Sequence, residues 1–253
     1  MVTPELRSAV TSLVREAGRA TMAYYDTGVA AGVREKDDRS PVTLADEVAH
    51  EILVHGLERL DPGTPVVSEE AEAASFDHRQ SWRSFWLLDP LDGTKEFIKR
   101  RAEFTVNVAL IQNGEPVLGV VLAPALDLLY WAVKGQGAWK EERGGAPERI
   151  YSRPPAPGTP LTVVESLSHP SDELEQYLKT IPVARRVKAG SSLKFCWVAE
   201  GRADVYPRLG PTMEWDVAAG DCVYRQSGSE GERQSPLTYN KPDLRNTSFV
   251  IGL

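Results

Sequence analysis

The sequence predicts a mixed α/β fold arranged as two joined lobes. Three observations carry that prediction: two apolar helical stripes near the N-terminus, a run of short β-rich segments after them, and an α/β alternation beyond a breaker-rich stretch. A chain of 253 residues with 42% apolar content is long enough to bury one large core or two smaller ones. The organisation divides into an N-terminal α+β lobe over residues 1–150 and a C-terminal α/β lobe over 151–253.

Leu6, Val10, Leu13, Val14, Ala17, Thr21 and Tyr24 recur at spacings of three and four, which is the stripe of a helix that covers a sheet. A second helix starts at Thr43, where Thr43 and Asp46 fit a capping box. It runs through Leu44, Val48, Ile52, Leu53, Leu57 and Leu60 until Asp61, Pro62 and Gly63 end it. The period then changes. Pro65 to Val67, Phe85 to Leu88, Phe104 to Ile111, Val117 to Leu122 and Leu128 to Val133 read as strands, and Asn113-Gly114 marks a hairpin, so the sheet has antiparallel parts. The glycines and prolines between Glu141 and Pro160 argue against a core element and mark the lobe boundary. Beyond it, Leu161 to Val164, Val183 to Val187 and Asp204 to Tyr206 read as strands. Asp172 to Thr180, Ser192 to Glu200 and Trp215 to Gln226 read as helices.

With 29 Lys+Arg against 36 Asp+Glu the net charge is −7, which argues against a nucleic-acid polymer as partner. A small anionic substrate stays compatible if metals or local amides supply positive charge. Cys196 and Cys222 have no metal or redox spacing and read as buried thiols of a reducing compartment. Glu5, Arg7, Arg15, Glu16 and Arg19 interrupt any apolar run near the N-terminus, so a cytoplasmic protein without membrane insertion is expected, as a monomer or homodimer.

The chemistry concentrates in Trp86-Leu87-Leu88-Asp89-Pro90-Leu91-Asp92-Gly93-Thr94-Lys95-Glu96-Phe97, an apolar strand running into two carboxylates and a Gly-Thr turn. Two acids at a strand end are costly unless a cation sits between them. Pro90 and Gly93 shape the turn, and Thr94 begins a short helix whose N–H groups can hold a phosphate. Magnesium takes about six oxygens, commonly from a few carboxylates, water and substrate phosphate, and Asp89, Asp92 and the Leu91 carbonyl suit it. The same residues also fit an ordinary turn. Glu69 and Glu70 follow the strand Val66-Val67, as ligands at an open-sheet edge or as a plain acidic loop. Asp216, in Glu214-Trp215-Asp216-Val217-Ala218-Ala219-Gly220, fits an N-cap as well as a ligand, and Asp46 fits the capping box alone.

Ser68-Glu69-Glu70, Asp89-Pro90-Leu91-Asp92-Gly93-Thr94 and Trp215-Asp216-Val217-Ala218-Ala219-Gly220, in that order and spacing, resemble the signature of the lithium-sensitive, magnesium-dependent phosphatase superfamily. That superfamily contains inositol monophosphatase and fructose-1,6-bisphosphatase. The resemblance runs from about Lys36 to the C-terminus. Lys95 to Arg100, Glu103 to Asn107, Gly190 to Phe195 and Leu237 to Pro242 bring it nearest to the branch of bacterial 3′(2′),5′-bisphosphate nucleotidases of the CysQ type.

The resemblance implies a layered αβαβα sandwich with two or three Mg²⁺ ions between the lobes. By position, Glu69, Asp89 and the Leu91 carbonyl hold one ion, and Asp89, Asp92 and Asp216 hold a second. It implies that Thr94 and Asp46 pair to activate water together with Glu69, and that the Gly93 and Thr94 amides hold the phosphoryl oxygens. It also implies lithium inhibition. Where inositol monophosphatases carry a Glu that reads a sugar hydroxyl, this chain has Arg208, which suits a second phosphate, and Lys194 after Gly190-Ser191-Ser192 adds another cation. The substrate-binding set is thus Asp92, Gly93, Thr94, Ser192, Lys194, Arg208 and Asp216; family position would also bring His169 near the nucleotide, although a lone loop histidine reads first as an ordinary surface residue. A solvated positive rim remains the other reading of Arg208 and Lys194.

The expected substrate is 3′-phosphoadenosine 5′-phosphate, the by-product of sulfate-donor chemistry, cleaved to AMP and phosphate, with the sulfate donor as a second candidate. Inositol or fructose phosphates are the alternative substrates, and a non-catalytic regulator is the remote one. Two departures stand out: Arg101-Ala102 replaces a common Asn-Gly, and Gln226-Ser227-Gly228-Ser229 replaces Ala-Gly-Gly.

Overall fold

The computed structural model describes residues 2–27, 34–35, 41–168 and 171–252; His169 lies outside this set. The N-terminal stripes form α1 (Pro4–Thr27) and, after the paired two-residue strands β1 (Arg34–Glu35) and β2 (Pro41–Val42), α2 (Leu44–Leu60). The predicted capping box opens α2: the Thr43 side chain accepts from Ala45 N, and Asp46 accepts from Thr43 N.

The chain continues through β3 (Val66–Ser68), α3 (Phe76–Arg79), β4 (Ser84–Asp92), α4 (Thr94–Ile98), β5 (Thr105–Gln112), β6 (Glu115–Ala123), the turn Pro124–Leu126, β7 (Leu128–Val133), β8 (Gly137–Glu142) and β9 (Glu148–Ile150). These strands form one seven-stranded sheet in chain order, parallel between β3 and β4 and antiparallel elsewhere. Asn113 and Gly114, at φ 51° and 78°, make the predicted tight hairpin.

Both faces of the sheet are covered, which explains the near-continuous apolar runs in β5 and β7. Trp86, Leu88, Val108 and Val120 face α1 and α2, while Phe85, Leu87, Ala109 and Val121 face the opposite way. That second face receives α6 (Leu193–Ala199) and α7 (Glu214–Arg225), reached through β10 (Leu161–Ser166), α5 (Asp172–Leu178) and β11 (Val183–Ala189), with β12 (Tyr206–Arg208) and β13 (Thr212–Met213) leading into α7. β14 (Arg245–Asn246) and β15 (Phe249–Ile251) close the fold. Gly119 on β6 permits the approach of α7, since a Cβ there would lie 2.5 Å from the Ala219 carbonyl.

β10 pairs with β11, β12 pairs with β15, and a bridge from Val163 to Val205 joins the two pairs. α5 packs Leu174 and Leu178 on this small sheet against Leu161, Val163 and Val205. The succession α1/α2, large sheet, α6/α7, small sheet, α5 is the expected αβαβα sandwich. Each fully buried large aliphatic or aromatic side chain in these layers contributes about 1.5–3 kcal/mol.

Three local expectations are corrected. The stretch from Glu141 to Pro160 holds the end of β8 and all of β9; β9 is an edge strand, where turn residues beside it cost little pairing. The left-handed residue of the loop before Glu103 is Arg100, at φ 57°, so Ala102 carries no backbone strain. Asp216 is not the N-cap of its helix: α7 begins at Glu214, and Asp216 reaches back from the first turn to accept from Met213 N at 2.8 Å. The Gln226-Ser227 departure is structural, since Gln226 accepts from Gly135 N and the Ser227 carbonyl accepts from Ser152 N. Cys196 and Cys222 are buried free thiols.

Candidate active site

The site begins with an irregularity in β4. Asp89 pairs with Asn107 and Asp92 with Thr105, so β4 spends three residues where β5 spends two. In a regular strand, residues three apart face opposite sides. The extra residue at Pro90-Leu91 is a bulge that brings both carboxylates to one cleft, and proline suits the point where a ladder bond is already lost. Asp89 Oδ1 accepts from Leu91 N across the bulge at 3.1 Å. By the parity of β4, Asp89 faces α6 and α7.

Asp89 therefore meets Asp216 from the first turn of α7 and Glu69 from the end of β3. Each of these three carboxylates places an oxygen within 4.8 Å of the other two. Glu69 is held by its own N–H, which donates to the Leu88 carbonyl at 3.1 Å. Burial pushes the Asp89 carboxyl well above its ordinary pKa, and the Glu69, Asp92 and Asp216 charges push it further. Burial and Asp92 raise Asp216 to about 8. Burial raises Asp92 to about 6 against the pull of Lys194. Such a cluster ionises fully only around a cation, and an all-oxygen donor set suits a hard divalent ion such as Mg²⁺. Asp92 lines the same cleft outside the group of three, 3.4 Å from Asn107 Nδ2.

The pair expected to handle the proton lies beside these acids. The Thr94 hydroxyl sits 3.3 Å from Asp46 Oδ1 and 3.3 Å from the Leu91 carbonyl. Asp46 Oδ2 accepts from Thr43 N at 2.8 Å and Thr43 Oγ1 at 2.6 Å. One carboxylate thus caps α2 with one oxygen and faces Thr94 with the other, so the two readings of Asp46 are compatible. Burial raises its pKa. Gly93 adopts φ 91°, and a Cβ there would lie 2.3 Å from Ser191 Oγ. Conformation and space both require glycine.

The cleft, about 280 Å³ in volume, is also lined by the cations Lys194 and Arg208. Lys194 is buried at the start of α6, donates to the Ser191 carbonyl and lies over the Tyr206 ring at 5.6 Å. Burial lowers its pKa to about 8, opposed by Asp92. Arg208 ends β12; its Nη2 donates to the Pro211 carbonyl at 3.0 Å, while its buried Nε has no partner among the described residues. Ser192 lines the cleft, but its hydroxyl donates to the Asp216 carbonyl at 2.7 Å and accepts from Asn107 Nδ2.

Sequence reasoning assigned no role to several residues of this site. Asn107 joins Asp92 to Ser192, and Ser191 Oγ lies 2.7 Å from the Asp92 carbonyl and 3.0 Å from that of Glu103. Glu96 is buried in the cleft wall and accepts from Ser168. Asn107, Ser191 and Glu96 fall within segments that had marked the family branch; their contacts are long-range, with nothing local to signal them.

The Inositol monophosphatase family model matches residues 3–247. The 3′(2′),5′-bisphosphate nucleotidase CysQ of Escherichia coli strain K12 is 50% identical over 247 residues, covering 96% of this chain and 98% of its own. Its counterpart of that name in Haemophilus influenzae is 34% identical over 250 residues, covering 97% of this chain and 92% of its own. Among solved structures, CysQ from Bacteroides thetaiotaomicron, a bacterial member of the inositol monophosphatase family, matches with a TM-score of 0.80 at 39% identity, over 97% of this chain and 96% of that one. The Thermotoga maritima IMPase matches with a TM-score of 0.77 at 24% identity, over 99% and 92%, a likeness of fold.

Proposed function

The chain belongs to the inositol monophosphatase family, and from that premise we infer its activity. It is a 3′(2′),5′-bisphosphate nucleotidase, a phosphoric monoester hydrolase that cleaves the 3′-phosphate of 3′-phosphoadenosine 5′-phosphate to AMP and inorganic phosphate. The observation that carries this reading is a single cleft lined by both signs of charge: Glu69, Asp89 and Asp216 gather in it, and Lys194 and Arg208 line it with them. The acids, through a bound cation, suit the phosphate that reacts, and Lys194 and Arg208 a second phosphate.

Glu69, Asp89, the Leu91 carbonyl, Asp92 and Asp216 would hold Mg²⁺, two ions in the reading favoured here. Bound there, magnesium supplies Lewis-acid charge for an in-line displacement of the ester oxygen by water. Asp46 accepts a hydrogen bond from Thr94, and Thr94 Oγ1 in turn orients the attacking water and relays its proton toward Asp46, with Glu69 facing the same water. The Gly93 and Thr94 amides hold the phosphoryl oxygens as the bond to O3′ breaks. Lys194 and Arg208 hold the distal phosphate, Arg208 through the donors of its fork. Ser192 contributes by holding the Asp216 carbonyl. The sulfate donor, which shares the 3′-phosphate, is a further substrate of the same site.

Among the described residues, no helix is long and apolar enough to cross a membrane. Acting on a small nucleotide by-product of sulfate transfer, the enzyme belongs in the cytoplasm, as a monomer or homodimer formed from a 1–150 lobe with most of the acids and a 151–253 lobe that completes the site. The test compares kcat/KM with Mg²⁺ on 3′-phosphoadenosine 5′-phosphate, inositol 1-phosphate and fructose 1,6-bisphosphate. A preference of about a hundredfold for the nucleotide, roughly 2.7 kcal/mol of transition-state discrimination, is expected. Comparable values on all three would overturn the substrate assignment.

A further inference from the structure

The segment Leu237 to Pro242 takes no part in the cleft, yet its backbone is held by buried charge. Arg79, the last residue of α3, is 2% exposed and has carbonyl oxygens and one amide as its hydrogen-bond partners. Its Nε donates to the Ala74 carbonyl at 2.7 Å and its Nη1 to Asn240 Oδ1 at 2.7 Å; its Nη2 donates to the Pro242 carbonyl at 3.0 Å and the Lys241 carbonyl at 3.3 Å. Asn240 returns the contact, Nδ2 donating to the Arg79 carbonyl at 2.8 Å. Asn240 also takes φ 69°, a conformation that a short amide side chain tolerates.

The same turn is gripped from the other side by Glu214, which is fully buried. Its Oε2 accepts from Asn240 N at 2.8 Å, and its Oε1 accepts from Lys241 N at 2.8 Å and pairs with Lys241 Nζ at 2.7 Å. Glu214 is the first residue of α7, two before Asp216. Ala74 lies in the loop that leaves Glu69 for α3. One continuous set of hydrogen bonds therefore runs from the Glu69 loop through Arg79, Asn240 and Glu214 to the start of the Asp216 helix. Glu69 and Asp216 are far apart in sequence, and their carboxylates must nevertheless meet within 4.8 Å.

A buried guanidinium and carboxylate are a costly way to attach a turn, and an apolar staple would do it with less desolvation. Directional bonds do what apolar contact cannot, which is to set the spacing of two segments. We propose that Arg79, Asn240 and Glu214 are positioning residues that hold the Glu69 loop and the Asp216 helix at the separation at which the acidic cluster binds a divalent cation. They act through Glu69 and Asp216 and touch neither substrate nor ion. The inference rests on the metal reading of the cluster.

The test measures binding of Mn²⁺ alone to the full chain by calorimetry, beside melting temperature. The variants are Arg79→Met, Asn240→Gly, which keeps the left-handed backbone while removing the amide, and two references, Asp89→Asn and Arg225→Met. Arg225 lies on the same helix and binds the same C-terminal segment through Asp221 and the Leu237 carbonyl, away from the clamp. Both clamp variants should weaken Mn²⁺ binding about tenfold, while Arg225→Met lowers the melting temperature and leaves Mn²⁺ affinity within about twofold. Unchanged affinity in the folded clamp variants, or an equal loss in Arg225→Met, overturns the proposal; if Arg79→Met does not fold, Asn240→Gly decides. If the parent binds no Mn²⁺, or binds it equally after Asp89→Asn, the metal reading falls and the clamp with it.

Discussion

The acidic and cationic groups of the cleft differ in how they are held. Asp89, Glu69 and Asp216 come from a bulged strand, a strand end and a helix start; the Asp89 and Asp216 carboxylates each accept from a backbone N–H, and the Glu69 backbone donates to the Leu88 carbonyl. Lys194 and Arg208 come from α6 and β12, at the junction with the small sheet, and each donates to a nearby carbonyl while Arg208 Nε stays unpartnered. The acids repel one another, which suits a cation common to many phosphate esters. The cations keep donors to offer, which suits reading one particular ester. On the proposed function, reaction falls to the acids and selection to the cations, and substitutions should separate them.

The largest effect is expected from Asp89→Asn, which removes charge from the centre of the acidic group. Turnover with saturating Mg²⁺ should fall by about a thousandfold on every substrate, and a substrate-dependent loss would erase the distinction between the acids and the cations. Thr94→Ala should cost about a hundredfold in kcat with little change in KM, because it removes the hydroxyl facing Asp46 and spares the cations. A rise in KM alone would move Thr94 into substrate binding.

Arg208→Ala should lower kcat/KM for the nucleotide about thirtyfold, within the range for a hydrogen-bonded charge, and leave inositol 1-phosphate hydrolysis near its parent rate. Equal losses on both would make Arg208 structural. The pH profile sharpens the same point by a few-fold. Burial lowers the Lys194 pKa to about 8, so its charge is present below that pH and lost above it; KM for the nucleotide should climb as pH rises through about 8, and Lys194→Met should abolish that climb. The smallest effect is expected from Glu70→Gln, within about twofold in kcat, since Glu70 stands outside the three-carboxylate group. A loss as large as that of Asp89→Asn would mean that the wrong glutamate of the pair had been chosen.

Much of the fold was readable because local patterns agreed with it. The α1 stripe, the Thr43 capping box and the Asn113-Gly114 hairpin are short-range devices, and each stands where its residues predict it. β8 and the edge strand β9 were missed because a Gly- and Pro-rich neighbourhood conceals short strands, whose pairing comes from distant neighbours. Of the two readings of Asp216, the N-cap reading failed because the local pattern does not tell two kinds of cap apart. An acid at a helix start caps equally well from the N-cap, accepting from the N–H groups of the first turn, or from the third helical position, accepting from the N-cap N–H as here. Within the site the acids were visible as motifs, whereas Asn107, Ser191 and the Arg79 clamp were not, since their partners lie far away in the chain.

What the sequence determined by itself is the inventory and its order: three acid-bearing motifs, a glycine where the chain must turn left-handed, two cations in the second half, and the periodicities of the layers. Its spacing also placed Asp46 within reach of Thr43, because a capping box spans only three residues. Only the tertiary structure decided which carboxylates meet, that Asp46 also reaches Thr94, and that a turn near the C-terminus ties the Glu69 loop to the Asp216 helix. The reason is physical: local hydrogen bonding and periodicity act over a few residues, whereas a cluster of like charges assembles only when packing of the large sheet against α6 and α7 brings distant segments together and holds them against their repulsion.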